Sequence, residues 1–313
     1  MRLLFVSDRP AGTFIMRGEQ IARCRDDWRA SLTPSPEDLA EADAVVIVKR
    51  VAPETLEMIR AAGLPVIYDA LDFWPQPKAR WRPRSRAQRI GSGAEALALF
   101  GEHFAALKPD LILCVTRQMA ADLAPLGYPT EVIYHHADPR LPEAQTYARE
   151  RPAGRSLIYL GNKAYLTEWE ALIAAAAEAE GVAFTTLDSS RGGFASPPPA
   201  SAMIAVRGGR DGCWISRSWK SNVKAATAAQ LGLPLVAWPE AAYRETAPEA
   251  HFFEDPKSLR AAIAEATGPG ARPLTQRFPV EAAAARYEAV IGALLAGEIG
   301  HLPGPAETVS SLD

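Results

Sequence analysis

The sequence has 313 residues, enough for two α/β domains, and its 48% hydrophobic and 23% charged residues are ordinary for a globular protein. A formal net charge of -3 argues against broad nucleic-acid binding, which favours basic surfaces. Three widely spaced cysteines indicate neither a disulfide framework nor a zinc site. No apolar run is long enough to span a bilayer, so we expect a cytoplasmic protein.

Short apolar runs alternate with amphipathic runs through the first half of the chain. Helices are predicted over 14–25 and 116–124, from apolar residues spaced three and four apart. This alternation favours a parallel sheet with right-handed crossovers, and we expect a Rossmann-like domain over 1–140. Its strands are predicted at 3–6, 44–48, 66–68, 110–115 and 130–134.

The second half repeats the plan after a polar, proline-containing stretch at 141–155, which we interpret as a linker. A second Rossmann-like domain is expected over 156–278, followed by a long helix over 279–297 and a flexible tail over 298–313. The predicted fold class is therefore α/β, with two Rossmann-like domains and a cleft between them. Strands of the second domain are predicted at 156–160, 183–187, 203–206 and 233–238.

The stretch 205–226 runs from a strand end through a glycine-rich loop into the start of a helix. Ligands of open α/β sheets bind beyond the carboxyl ends of the strands, and a helix N-terminus favours phosphate. Ser221 or Asn222 can cap this helix, and Lys220 and Lys224 add positive charge. The pattern indicates a diphosphate site, although a flexible surface loop before a normally capped helix fits it equally well.

The segment 220–240, with its Gly-Leu-Pro-Leu-Val-Ala turn and strand, resembles the donor-site helix and strand of GT-B glycosyltransferases. The resemblance implies two Rossmann-like domains, a nucleotide-sugar bound by the second domain, and a C-terminal helix that packs back on the first. It also implies a donor site without metal or cofactor, because cationic side chains and a helix N-terminus can neutralise the diphosphate. The expected donor-binding residues are Gly161, Asn162, Lys163, Arg207, Lys220, Ser221, Asn222, Lys224 and Glu240.

This sequence departs from many retaining members of that family, which carry two glutamates across the donor helix. Trp219 and Thr227 occupy those positions, and neither can hold a sugar or ribose as a carboxylate does. One alternative is a catalytically degenerate relative that binds a sugar nucleotide or glycan and acts with a partner. An epimerase or another nucleotide-sugar enzyme on the same scaffold is a third hypothesis.

Acceptor contacts are expected in the first half, where Asp8 and Arg9 follow the first strand and Arg17 lies in the next helix. The basic run 77–89, which includes Arg82 and Arg84, could clamp an anionic acceptor or touch the inner face of a charged membrane. Solvated surface arginines are an equal alternative for both groups. The acceptor could be a glycan, a lipid-linked molecule or a protein, whereas nucleic acid is a minor alternative.

Two positions could supply a catalytic base. Asp72 follows the strand 66–68, and the aromatic pair after it could shield the carboxylate and raise its pKa. His135 follows the strand 130–134, where it could act as a base or bind phosphate. A turn-capping aspartate and a packed histidine are the structural alternatives.

Overall fold

The structure is a computed structural model that describes residues 1–71, 90–149, 154–166, 169–188, 196–207 and 214–299. The chain divides into two compact units. The first body comprises Met1–His135, Trp219–Ser221 and the chain from Val280 onward, and the second comprises His136–Ser218 and Asn222–Pro279. Each body is built on one parallel sheet, so the predicted α/β class with two Rossmann-like domains is confirmed.

The first body has a six-stranded parallel sheet in the order β2-β1-β3-β4-β5-β6. Every residue of β1, β3, β4 and β5 is buried, as expected for strands that are covered on both faces. Its strands are β1 (Leu3–Val6), β2 (Arg29–Ser31), β3 (Ala44–Val48), β4 (Val66–Ala70), β5 (Leu111–Cys114) and β6 (Thr130–Val132).

The helices of the first body begin at recognisable caps. The Ser35 side chain accepts from the Asp38 backbone N–H, and the Asp38 carboxylate accepts in return, which fixes the start of a helix that opens with Pro36. These helices are α1 (Gly12–Phe14), which continues as a π-helix (Ile15–Gln20), α2 (Pro36–Glu41), α3 (Pro53–Ala61), α4 (Gly93–Leu107) and α5 (Arg117–Leu123).

The second body has a five-stranded parallel sheet in the order β11-β10-β9-β7-β8. Its strands are β7 (Ser156–Gly161), β8 (Ala183–Asp188), β9 (Ala202–Ala205), β10 (Leu235–Ala237) and β11 (His251–Phe252). Its helices are α6 (Ala144–Arg149), α7 (Glu170–Ala179), α8 (Trp214–Ser218), α9 (Val223–Gln230), α10 (Ala241–Thr246) and α11 (Pro256–Ala266). Two hydrophobic clusters cover the two faces of this sheet, one including α9 and the other including α7 and α11.

The last helix, α12 (Val280–Leu295), belongs to the first body. Arg286 of this helix donates to Glu131 at 2.7 Å, and the Tyr287 hydroxyl donates to Asp69. Arg25 forms an ion pair with Glu288 at 2.7 Å. Polar contacts from two faces of the helix therefore hold it to the first sheet and its neighbours.

Three local predictions differ from the structure. The helix predicted over 14–25 is a π-helix for six of its residues. Phe14 packs so close to Gly18 that a Cβ added at Gly18 would lie 2.7 Å from the Phe14 ring. Part of the polar stretch interpreted as a linker forms α6. The edge strands β2 and β11 were not predicted, because they are short and only partly buried. No described helix combines the length and apolarity needed to cross a membrane.

Candidate functional site

The carboxyl edge of the second sheet is where the strand order reverses. The chain runs from β7 to β8 on one side and then returns to place β9 on the other side of β7. Open α/β sheets bind ligands in the crevice at such a reversal. Gly161 ends β7, Arg207 lies just beyond β9, and Glu240 lies just beyond β10. The sequence analysis named all three.

A buried ion pair joins two of these strand ends. Arg207 Nη1 donates to Glu240 Oε2 at 3.0 Å, with the two side chains 6% and 1% exposed. The guanidinium carbon lies 5.4 Å from the centre of the Tyr243 ring. Burial raises the pKa of the Tyr243 phenol well above its usual value, so this ring is neutral at physiological pH.

A second cation reaches the same edge from the helix that follows. Lys224 is the second residue of α9, and its Nζ donates to the Leu160 carbonyl at 2.6 Å. The ammonium lies 3.9 Å from the centre of the Tyr159 ring, a cation–π distance. Burial lowers the pKa of Lys224 well below its usual value, and the Arg207 guanidinium lowers it further.

Gly161 makes room for this lysine. A Cβ added at Gly161 would lie 2.3 Å from Lys224 Nζ and 3.0 Å from the Tyr159 hydroxyl oxygen. Neither distance is compatible with a side chain, so the absence of one allows the ammonium to reach the end of β7.

These residues bring two basic side chains to one sheet edge. Arg207 pairs with Glu240, Lys224 reaches the same edge, and the backbone N–H groups at the start of α9 add partial positive charge. Because burial lowers the pKa of Lys224, an anion at this edge would favour its protonated form. Buried charges are normally paired, so an incoming oxyanion would be stabilised here. The group can bind a diphosphate, and we refer to Gly161, Arg207, Lys224 and Glu240 as the cationic site.

Other predicted donor residues have different surroundings. Asn162 Oδ1 accepts from the Ala164 N–H at 2.9 Å, and Lys163, which is about half exposed, pairs with Glu170 at 3.3 Å. Asn222 is buried at the start of α9. Lys220 and Ser221 directly precede α9 in the chain and are grouped with the first body, as is Trp219 beside them. Their role in donor binding stays a prediction.

In the first sheet the strand order reverses between β1 and β3. Asp8 follows β1, and Arg50 Nε donates toward its carboxylate at 2.8 Å. Arg9 is mostly exposed and lies 3.4 Å from the other oxygen of Asp8. Asp8 and Arg9 were predicted from the sequence, whereas Lys49 and Arg50 were not. Both follow the strand 44–48 directly, and this strand pairs with β1.

Arg17 lies in the interior of the first body. Its Nε and Nη2 donate to the two oxygens of Asp69 at 2.9 and 3.0 Å, and its Nη1 donates to the carbonyls of Ile133 and Tyr134 at 3.2 Å. The side chain is completely buried. An acceptor could reach Arg17 only if this network opened, so we leave it out of the proposed acceptor contacts.

Of the two predicted catalytic residues, His135 and Asp72, only His135 lies in the described part of the chain. His135 is buried at the end of the first body. Asp72, Arg82 and Arg84 lie outside the described residues. Within the described ranges, no group of three or more His, Cys, Asp or Glu side chains is arranged to hold a metal ion.

No protein-family model and no curated protein sequence matches the chain. Among solved structures it is similar to AviGT4, a glycosyltransferase involved in avilamycin A biosynthesis. The two share 16% identity and a TM-score of 0.54, over 95% of this chain and 98% of AviGT4. The chain has the GT-B fold.

Two further GT-B likenesses have lower TM-scores. The spinosyn rhamnosyltransferase SpnG complexed with thymidine diphosphate is 14% identical, with a TM-score of 0.41 over 99% of both chains. The glycosyltransferase SsfS6 from Streptomyces sp. SF2575 is also 14% identical, with a TM-score of 0.37 over 99% of both chains. The similarity to AviGT4, at 16% identity, extends to the fold alone, and the function has to be argued from the residues.

Proposed function

We propose that this GT-B protein is a glycosyltransferase whose second body binds a nucleotide-sugar and whose first body binds the acceptor. The observation that carries the proposal is the cationic site. Two buried basic side chains and one buried carboxylate lie at the carboxyl edge of the second sheet, where the strand order reverses. The two basic side chains suit the diphosphate of an activated sugar.

In the proposed reaction the bond between the anomeric carbon and the diphosphate oxygen breaks, and a bond to the acceptor oxygen forms. The acceptor hydroxyl loses its proton to a base, and the nucleoside diphosphate leaves with the bonding electron pair. Arg207 and Lys224 would stabilise the negative charge that develops on the leaving oxygen. Glu240 would hold Arg207 in place, since its carboxylate accepts from Nη1 at 3.0 Å.

Asp72 and His135 are the proposed candidates for the base. The Asp72→Asn change keeps size and hydrogen bonding but removes basicity, so turnover should fall about 100-fold or more while donor binding is kept. His135→Gln provides the second arm of the experiment. Turnover near wild type in the Asp72 variant, with a large loss in the His135 variant, would assign the proton to His135.

A second candidate function is supported by two side chains of the donor region. Trp219 is fully buried, and its Nε1 donates to Asp122 at 2.7 Å. The Thr227 hydroxyl donates to the Val223 carbonyl of its own helix at 2.8 Å. Both positions, where many retaining relatives carry glutamate, are occupied by structural contacts. This favours a binding relative that keeps the nucleotide-sugar site without transferring the sugar.

A thermal-shift screen of the full chain tests the proposal, with UDP-, GDP-, ADP-, dTDP- and CMP-sugars. We expect at least one diphosphate sugar to raise the melting temperature, and CMP-sugars, which carry a single phosphate, to raise it less. Lys224→Met should remove the shift. No shift with any sugar, or a shift that Lys224→Met leaves unchanged, would refute the donor site. A shift without turnover on any acceptor would favour the binding relative.

A further inference from the structure

Lys224 reaches its place in the cationic site by passing the end of β7. The lysine begins in α9, whose alanines pack on one face of the second sheet. Its ammonium lies 3.9 Å from the ring centre of Tyr159, which belongs to the hydrophobic cluster on the other face. A Cβ added at Gly161 would lie 2.3 Å from Lys224 Nζ and 3.2 Å from the ring carbon that carries the Tyr159 hydroxyl. The contact between lysine and ring therefore depends on a position without a side chain.

The Tyr159 ring is held in place by its own strand and hydroxyl. Tyr159 is fully buried in β7, which pairs with β8 on one side and β9 on the other. Its hydroxyl donates to the Asn162 carbonyl at 3.1 Å, a contact that restrains the orientation of the ring. Burial raises the pKa of the phenol, so the ring stays neutral at physiological pH. A fixed, uncharged aromatic ring therefore faces the lysine.

The direct partners of the Lys224 ammonium are a carbonyl and a ring. Within the described part of the chain, its Nζ donates to the Leu160 carbonyl at 2.6 Å and contacts the Tyr159 ring, and neither partner is a carboxylate. Burial lowers the pKa of Lys224, the charge of Arg207 beyond β9 lowers it further, and the charge of Glu240 beyond β10 raises it. The cation–π contact offsets part of the cost of charging a buried amine.

A ring partner suits a lysine that has to bind an oxyanion. A carboxylate in the same place would neutralise the ammonium and would compete with the ligand for its N–H donors. An aromatic face stabilises positive charge without carrying a formal negative charge. The lysine can therefore be held at the end of β7 without losing the charge that a phosphate oxygen requires.

We propose that Tyr159 is a positioning residue of the cationic site, whose ring holds the Lys224 amine at the end of β7 and favours the ammonium form that receives a ligand oxyanion. That this oxyanion belongs to the diphosphate of a nucleotide-sugar rests on the proposed function. The effect of the ring on Lys224 does not, because it is present before any ligand binds.

The effect of the ring on Lys224 is tested first, without ligand. NMR of the full chain labelled in its lysine side chains, with the Lys224 signal assigned from Lys224→Met, follows protonation as the pH is raised. We expect Tyr159→Leu to lower the pKa of Lys224, with an acid dissociation constant about fivefold higher or more, because the ammonium loses its cation–π partner. Tyr159→Phe keeps the ring and should stay close to wild type. An unchanged or raised pKa in Tyr159→Leu would overturn the proposal.

The second measurement is the affinity for inorganic pyrophosphate, determined by calorimetry near neutral pH. Tyr159→Leu should weaken binding about fivefold or more, and Tyr159→Phe should restore most of the affinity. Equal losses in the two variants would assign the effect to the hydroxyl rather than the ring, and would overturn the proposal. Absence of pyrophosphate binding by the wild-type protein would refute the donor site, and the lysine titration would then decide the role of Tyr159 alone.

Tyr147→Leu is the matched control. Tyr147 is also buried in the second body, and its hydroxyl also donates to a backbone carbonyl, that of Pro198, at 2.6 Å. The variant should leave the Lys224 titration and the pyrophosphate affinity unchanged. Equal effects of Tyr147→Leu and Tyr159→Leu would indicate general loosening of the second body and overturn the proposal.

A second variant covers the case in which Tyr159→Leu does not fold. Pentafluorophenylalanine in place of Tyr159 keeps the shape of a phenyl ring, but its fluorines remove the negative charge from the ring face. Compared with Tyr159→Phe, it should lower the pKa of Lys224 and weaken pyrophosphate binding. Identical behaviour of the two rings would show that Tyr159 acts by filling space, contrary to the proposal.

Discussion

Each body of this protein contains a buried arginine paired with a carboxylate and lying over a tyrosine ring, yet the two arrangements differ in charge balance. In the first body, Arg17 makes two hydrogen bonds with Asp69, and its guanidinium lies 5.0 Å from the centre of the Tyr287 ring. In the second body, Arg207 Nη1 donates to Glu240 at 3.0 Å, and the guanidinium lies 5.4 Å from the centre of the Tyr243 ring. The geometry is similar, but the surroundings are not.

In the first arrangement, the positive charge of Arg17 is balanced by the negative charge of Asp69. One cation meets one anion, both fully buried, and the remaining Arg17 donors reach backbone carbonyls. The second arrangement contains an additional basic side chain, Lys224, whose pKa is lowered by burial, and it retains slight exposure. A balanced buried pair joins parts of a fold, whereas charging an additional buried amine has a cost that a bound anion would offset. The comparison therefore separates a structural pair from a ligand site.

The largest effect is expected from Arg17→Met. Removing one partner of a buried pair leaves an uncompensated charge, so the free energy of unfolding should fall by about 3–5 kcal/mol. Urea unfolding followed by circular dichroism measures this. The double variant Arg17→Met/Asp69→Asn should lose clearly less than the sum of the two single variants. A loss below about 1 kcal/mol for Arg17→Met would mean that the pair does not hold the first body together.

The second prediction concerns binding at the other pair. Arg207→Met leaves Glu240 near Lys224, so the free energy of unfolding should fall less than in Arg17→Met. Nucleoside-diphosphate affinity should fall by about 1–3 kcal/mol, roughly 5- to 160-fold, for either Arg207→Met or Lys224→Met. Calorimetry measures the affinity. Lys220→Ala is the comparison, since the sequence analysis assigned Lys220 to the same diphosphate. A larger loss with Lys220→Ala than with Lys224→Met would move the site.

The sequence was informative about the fold wherever burial was complete. The strands predicted at 3–6 and 44–48 match β1 and β3, because a parallel strand covered on both faces is a continuous apolar run. The helix predicted over 116–124 contains α5, and the Thr116 side chain accepts from the Met119 N–H to cap its start. The edge strands β2 and β11 were missed because Arg29–Ser31 and His251–Phe252 are very short and contain no apolar run.

The candidate site was predictable in type but not in composition. Arg207, Lys224 and Glu240 were named because each lies at a strand end or a helix start. The contacts among them depend on strand order, and no spacing along the chain encodes that order. For Arg17 the sequence pattern predicted the wrong type of role. An arginine in an amphipathic run looks like a surface residue, and only its pairing with Asp69, 52 positions away, reveals that it is buried.

A third and smaller effect is expected when space is removed beside Lys224. Gly161→Ala places a methyl group where the ammonium now lies, and the flexible lysine can withdraw. Stability should fall as well, because Gly161 has a φ of +159° and the added methyl group also meets the Tyr159 hydroxyl oxygen at 3.0 Å. Diphosphate affinity should fall about three- to tenfold as Lys224 is displaced. Gly154→Ala is the matched control in the same body, because an added Cβ there has no neighbour within 4 Å. Equal affinities for the two variants would contradict the placement of Lys224.

The smallest effect is a pH dependence that only the second body should show. The pKa of Lys224 is lowered in the folded protein from 10.5, mainly by burial. Between that lowered pKa and the ordinary one, the unfolded chain binds more protons than the folded protein, so the free energy of unfolding rises with pH. The contribution of one group is at most about 1.4 kcal/mol per pH unit.

Lys224→Met should remove this slope, and the difference between wild type and variant should be measured by urea unfolding from pH 7 to 9.5. Tyrosines with raised pKa values, such as Tyr243 and Tyr287, oppose the trend only at higher pH, because they retain protons in the folded state. Arg17 stays charged throughout, since its pKa is raised, so the first body adds no slope of this origin. A diphosphate in the cationic site would favour the charged lysine, so binding should take up a proton. Identical pH profiles for wild type and Lys224→Met would show that the buried amine does not titrate in this range.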